Sequence, residues 1–230
     1  MKEGRMNKLA GNSRAFIVAL ICWGLPGGVC FASGIGNMEY WQTQGFNVDI
    51  NKDFEFTVSQ ELRFGGHDGN LYLHNVDLGI VYKSLAEWLD LGFNFKKEYE
   101  KDSSGKFRHE NRPNLNITVK GKLFDLPFSN RSRLAWRDFE TKEEVWRYRN
   151  KSTVKLPLKL TKLNLQPYVA EEWFVNLGED NINQNRLYSG FSCKLAKNIS
   201  GNIFYLWKTN KILGGWRSTN VIGTQFKFLF

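Results

Sequence analysis

Residues 221–230 read Val221-Ile222-Gly223-Thr224-Gln225-Phe226-Lys227-Phe228-Leu229-Phe230, and their alternation decides the fold. A β-strand sends successive side chains to opposite faces. Ile222, Thr224, Phe226, Phe228 and Phe230 therefore share one face, and Gly223, Gln225, Lys227 and Leu229 share the other. One face is apolar and aromatic; the other is mostly small or polar. Chain termini ordinarily fray into water, yet three phenylalanines crowd one side of this one. Two readings fit: the last strand of a soluble β-sandwich, or a strand whose apolar face meets lipid.

The same alternation recurs upstream as far as Tyr40, at roughly 15–20 residues per strand plus turn. Phe54, Phe56, Val58, Leu62 and Phe64 oppose Glu55, Thr57, Ser59, Glu61 and Arg63. Val76, Leu78, Ile80 and Tyr82 oppose Asn75, Asp77 and Gly79. Leu89, Leu91, Phe93 and Phe95 oppose Asp90, Gly92, Asn94 and Lys96. Leu115, Ile117 and Val119 oppose Asn114, Asn116 and Thr118. Further segments lie near 131–137, 146–156, 163–175, 184–196 and 199–208. No helical period of comparable strength appears, so the class is all-β.

Connection lengths add a polarity. Tight connections are expected near 51–53, 84–87, 157–162 and 196–198, and longer ones near 65–70, 101–106, 139–143, 175–183 and 209–216. Short turns at one end and longer loops at the other are the habit of outer-membrane barrels. About eleven segments can be counted, whereas single-chain bacterial barrels have even numbers. Twelve strands are therefore expected, with residues 33–39 adding one. Ten is the alternative, if the segment near 40–50 does not span.

The amino-terminal segment reads as an export signal. Lys2, Arg5, Lys8 and Arg14 precede an apolar run from Ala15 to Trp23; Pro26, Gly27 and Gly28 break it, and Cys30-Phe31-Ala32 offers a cleavage site. That order is a secretory signal peptide, and the run is shorter than the ~20 residues a spanning helix needs. Cleavage is expected after Ala32, with either Met1 or Met6 as the start. The expected organisation is a signal peptide over 1–32 and one antiparallel transmembrane β-barrel over 33–230, in the outer membrane of a Gram-negative bacterium.

Composition agrees. The whole chain carries a net charge of +9. Without residues 1–32, which hold four basic residues and one acid, 28 Lys and Arg face 22 Asp and Glu, a net +6. A mean hydropathy of −0.43 does not exclude a membrane barrel, whose lipid-facing and lumenal residues average out polar. The aromatic content of 15% suits girdles of Trp and Tyr at two bilayer interfaces. Cys193 alone remains after Cys22 and Cys30 leave with the signal, so no intramolecular disulfide forms. No nucleic-acid-binding motif accompanies the basic charge.

The carboxyl-terminal strand resembles the sorting strand that barrel-assembly machinery recognises. The resemblance implies that Gly223, Phe226, Phe228 and Phe230 are its recognition positions and that this machinery and outer-membrane lipids are partners. Several strings resemble a particular outer-membrane family, domain of unknown function 2490. They are Glu39-Tyr40-Trp41, Gln60-Glu61-Leu62-Arg63-Phe64, Gln166-Pro167-Tyr168-Val169-Ala170-Glu171-Glu172, Asn185-Arg186-Leu187-Tyr188-Ser189-Gly190 and Ser218-Thr219-Asn220-Val221-Ile222-Gly223. This resemblance implies a barrel and a location. It brings no reaction, ligand or catalytic residue.

Catalysis on the polar face would need particular groups at particular spacings. A serine hydrolase needs a base within reach of the nucleophile and a third group to orient it. His67 and His109 fall at or near loops, and His74 is followed along its face by Val76 rather than a serine. No enzyme is expected, and an outer-membrane lipid-modifying hydrolase or acyltransferase is the alternative. No two histidines stand at ligand spacing, so neither metal nor cofactor is expected.

One constellation rises above background. Arg131, Arg133 and Arg137 share the face opposite Leu134 and Trp136. Arg147, Arg149, Lys151 and Lys155 share the face opposite Trp146 and Tyr148. Aromatics belong at the lipid side, so these cations are expected to form one inward basic wall. Like charges on adjacent strands repel. Either Glu55, Glu61, Glu98, Glu110, Glu171 or Glu172 reaches across a narrow lumen to pair with them, or the wall draws small anionic solutes through a channel. The expected role is structural, or a narrow anion channel.

Overall fold

Alternation carries through to tertiary structure as one closed sheet. The computed structural model describes residues 38–65, 69–158, 160–161, 163–178 and 182–230. The expected signal peptide, and His67, lie outside the described residues. Eleven strands follow in chain order: β1 Met38–Asp49, β2 Phe54–Gly65, β3 Asn70–Ala86, β4 Leu89–Lys101, β5 Phe107–Leu123, β6 Leu126–Phe139, β7 Val145–Lys155, β8 Gln166–Asn176, β9 Ile182–Ala196, β10 Ile199–Ile212 and β11 Gly215–Leu229.

Each strand pairs antiparallel with its chain neighbours, and the barrel closes between β1 and β11. That last pair is parallel, with Trp41 opposite Gly223 and Phe46 opposite Phe228. The closed barrel of eleven strands among the described residues corrects the expectation of twelve strands or ten, and its closure corrects the wholly antiparallel barrel; of residues 33–39, expected to add a strand, 33–37 lie outside the described residues and 38–39 open β1. The two corrections have one cause. In an up-and-down barrel an odd strand count brings the first and last strands together pointing the same way. The segment near 40–50 is a full strand and pairs on both sides.

Two connection lengths are also corrected. The β7–β8 connection, expected to be tight, spans residues 156–165 and carries a small ladder of its own, Leu160 and Leu165 exchanging both backbone hydrogen bonds at 2.8 Å. The β10–β11 connection, expected to be long, is Leu213-Gly214 alone. Here the strands run on beyond their alternating apolar residues, and the turn uses positive φ at Gly214, which glycine tolerates.

Side chains divide as the alternation requires. Outward, Leu78, Ile80, Phe93, Phe95, Leu115 and Ile117 are exposed together across β3–β5. Inward, a small apolar cluster of Trp41, Ala170, Tyr188, Leu206 and Val221 is buried, with Tyr168 and Phe204 against it. The last four of these buried residues are register neighbours across β8–β11. Gly223 belongs to this packing: a Cβ there would run into the Phe204 ring. Part of the lumen is thus packed like a core rather than left open.

Candidate anion site in the barrel interior

Next to that cluster the interior turns polar. A cavity of about 410 Å³ is lined by eleven basic and five acidic side chains among the described residues. Backbone register explains the crowding. Arg131, Lys151, Glu172, Arg186 and Lys208 are consecutive partners across β6–β10. One step nearer the long-loop end, Asn116, Arg133, Arg149, Phe174 and Gln184 form the next row. Adjacent strands lie about 4.8 Å apart, so each row brings its side chains into mutual contact.

Glu172 is the hub. It is 2% exposed, and its carboxylate lies 3.1 Å from Arg149 Nε, 3.6 Å from Arg186 Nη1 and 3.8 Å from Arg131 Nη2. Tyr188 donates its hydroxyl to Glu172 Oε2 at 2.9 Å. Arg133 donates to Asn116 and Arg147 to Asn176, both amide oxygens. Lys151 sits 3.8 Å above the Tyr188 ring. Among the described residues, these last three cations have no carboxylate within ion-pair distance. Three cations (Arg131, Arg149 and Arg186) therefore share Glu172, and three more (Arg133, Arg147 and Lys151) line the same cavity without an ion-paired acid.

Aromatic faces supply part of what the carboxylates do not. Arg186 lies over Trp41 at 4.8 Å and over Phe174 at 4.7 Å, and Arg149 lies over Phe174 at 5.5 Å. A ring face carries negative quadrupole density and attracts such cations. The arrangement gathers several guanidinium groups around one cavity. Their forks match the oxygens of carboxylate, phosphate or sulfate.

The residues singled out in the sequence separate here. Arg131, Arg133, Arg137, Arg147, Arg149 and Lys151 all line the cavity. Lys155 does not; it lies exposed at the end of β7, opposite Tyr168. Of the acids, Glu172 and Glu110 pair with the wall, Glu110 accepting from Arg137 Nε and Nη2 at 2.7 Å each. Glu61 pairs with Arg63, Glu98 with Arg112, and Glu55 with Lys83 and Asn47, all away from β6 and β7. Glu171 points outward and accepts from Asn185 at 3.0 Å. Phe226 and Phe228 share the outer face of β11 with Ile222, and Phe228 stacks on Phe46. Phe230 follows the end of that strand.

Five further cations line the same cavity outside the expected wall: Arg63, Lys96, Arg112, Arg186 and Lys208. Their signal is present in the alternation. Arg186 and Lys208 each flank an outward residue, Leu187 and Trp207, exposed at 48% and 47%. What hid them was the weaker patterning of β9 and β10.

The histidines occupy other places. His74 stacks on Tyr99 with centroids 4.8 Å apart and meets the edge of Phe107. His109 Nδ1 lies 3.0 Å from Glu140 Oε2 at the loop end. There the His109 backbone N–H bonds Glu140 and holds its carboxyl below the usual range, aided by charge from His109 and Arg108.

Comparison with known proteins gives a family. A family model described as "Protein of unknown function (DUF2490)" matches residues 38–219, which is most of the barrel from β1 into β11. No curated protein matches the chain.

Proposed function

The chain belongs to the DUF2490 family, and we propose that it is an outer-membrane β-barrel whose interior binds and passes small anionic solutes. The observation that carries this is the excess of cations in the cavity lining: Arg131, Arg149 and Arg186 share the buried Glu172, while Arg133, Arg147 and Lys151 have no carboxylate within ion-pair distance among the described residues. Buried charge of one sign is costly unless a partner neutralises it. A small anion entering the cavity would be that partner. Rows of Arg and Lys lining a pore favour anions over cations in the same way.

The outer-membrane placement rests on the exposed apolar belt of β2–β5 and on the basic leader and apolar run of residues 1–32. Exposed apolar surface of this extent is not tolerated in water. The proposal includes export through cleavage after Ala32, insertion through the carboxyl-terminal strand with Gly223, Phe226, Phe228 and Phe230, and no catalytic role. His74 supports that last element. It packs between two aromatic rings, with no serine in those contacts.

Planar-bilayer recording of the purified barrel tests the proposal. In a salt gradient, the reversal potential should report anion preference. Replacing Arg133 and Arg149 with Gln should leave assembly intact and lower that preference. A barrel with neither conductance nor stabilisation by millimolar phosphate or sulfate would refute it. Recovery of the chain in the periplasmic fraction after osmotic shock would remove the membrane placement.

A further inference from the structure

The outer wall of β6–β8 carries a hydrogen-bonded polar patch where the outer wall of β3–β5 is apolar. Its outward side chains include Asn130 and Ser132 on β6, Asn150 and Ser152 on β7, and Glu171 on β8. These residues are register neighbours: Asn130 with Ser152, Ser132 with Asn150, and Ser152 with Glu171. Asn130 and Asn150 exchange amide hydrogen bonds at 2.8 and 3.0 Å. Asn130 also donates to Ser152 at 2.9 Å, and Asn150 to Ser132 at 3.0 Å. Glu171 is exposed.

Their level makes this patch informative. Asn150 is the middle residue of β7, Glu171 the middle residue of β8, and Ser132 is central in β6. The patch therefore sits at half-height on the barrel, where a lipid face is driest. At half-height on β4 and β5 stand Phe95 and Leu115. Lipid tails offer no hydrogen bond to a polar side chain, and a charge on the lipid face at mid-depth destabilises a barrel.

We infer that β6–β8 is an interface between two copies of this barrel. This rests on the membrane placement proposed above. A second copy in the same bilayer presents the same residues at the same depth, because a two-fold axis must then lie along the membrane normal. The patch is made of amides and hydroxyls, each both donor and acceptor, so it is complementary to itself. An axis running along β7 sets Asn150 and Ser152 against their own equivalents. It also sets Glu171 of each barrel against the amide and hydroxyl donors of β6 in the other. The two carboxylates then lie on opposite sides of the axis and do not face one another.

Disulfide trapping tests this. The full chain with Cys22→Ser, Cys30→Ser and Cys193→Ser, reconstituted in phosphatidylethanolamine–phosphatidylglycerol vesicles, is oxidised with Asn150→Cys or Leu115→Cys added. Asn150→Cys should give a cross-linked dimer as the main product, at least about tenfold above Leu115→Cys. Equal yields from the two sites, or no dimer through position 150, overturn the interface. Light scattering of the unsubstituted barrel in mild detergent is independent of any cysteine variant: two chains per particle are expected, and one chain, alone or with lipid or another protein bound, overturns it. The triple variant Asn130→Leu, Asn150→Leu, Glu171→Leu should keep heat-modifiable migration and lose the dimer, and a persisting dimer counts against the inference. Failure of the membrane reading is seen separately, as a chain that does not float with vesicles.

Discussion

The β2–β5 half of this barrel and the β6–β9 half are built from the same alternation and solve opposite problems. In β2–β5 the interior charges are matched: Arg63 pairs with Glu61, and Arg112 with both Glu98 and Glu110, at 2.8 and 2.6 Å. Asp77, which accepts from Asn94 at 2.7 Å, has Lys96 3.9 Å away. The outer face of that half is apolar at mid-height on β3–β5, where Leu78, Phe95 and Leu115 stand, and carries Gln60 on β2. In β6–β9 seven cations line the cavity against one buried acid of those strands, Glu172, with Arg137 held by Glu110 of β5, and the outer face carries amides, hydroxyls and Glu171. The first half resembles a wall that needs nothing added. The second keeps interior cations with no carboxylate in ion-pair range and a polar patch on its outer face, and it is the half on which both an interior anion and a second barrel are proposed to act.

The largest test of this contrast is the hub. Glu172→Ala removes the one carboxylate that Arg131, Arg149 and Arg186 share. Breaking a buried ion pair from one side costs about 3–5 kcal/mol. Glu98→Ala should cost clearly less, because Arg112 keeps Glu110. Urea titration of both variants in lipid vesicles checks this; equal losses would break the asymmetry between the halves.

The outer faces give the next effect. Leu115→Arg places a cation on the apolar wall at mid-height and should destabilise the barrel by about 2–4 kcal/mol. Ser132→Arg, at a similar level on β6, should cost less, since it joins hydrogen-bonding neighbours. The same urea titrations measure both. Identical costs would show that the polar patch confers no tolerance.

A smaller effect belongs to the apolar packing inside β8–β11. Gly223→Ala pushes a Cβ into the Phe204 ring, and overpacking of this kind costs about 1–3 kcal/mol. Gly92→Ala, whose Cβ finds ordinary contacts near 3.5 Å, should cost less in the same measurement. A neutral Gly223→Ala would mean that Phe204 moves freely.

The smallest effect lies at the loop end. Asp102 accepts from Ser104 Oγ at 2.6 Å and from Arg108 Nε at 2.9 Å, and these bonds hold its carboxyl below the usual aspartate range. A depressed carboxylate contributes order above its unfolded value and loses it as pH falls through its folded one. Amide exchange in the β4–β5 turn should therefore stay slow through pH 4, where a free aspartate begins to protonate. Asp102→Asn should speed exchange at neutral pH, and no change on that substitution would refute the assignment.

Much of the interior was legible in parity alone. Arg131, Arg133, Arg147 and Arg149 alternate with Leu134, Trp136, Trp146 and Tyr148, and a strand cannot turn both sets the same way. The same logic placed Phe54, Phe56, Phe93 and Phe95 together. It reached less far where alternation weakens, at Arg186 and Lys208. It failed at the β7–β8 connection, where leucines continue past the end of the strand and mimic a tight turn between strands.

By itself, then, the sequence determined the class, the alternation of faces and the sign of the interior charge, because these are local properties of a chain with a two-residue repeat. Tertiary structure alone decided the strand number, the parallel closure of β1 on β11 and the choice of Glu172 over Glu61 or Glu98 as the hub. It also raised Asn130, Asn150 and Glu171 to one level on one wall. All of these depend on register between strands distant in sequence, where a shift of two residues leaves every face unchanged and every partner different.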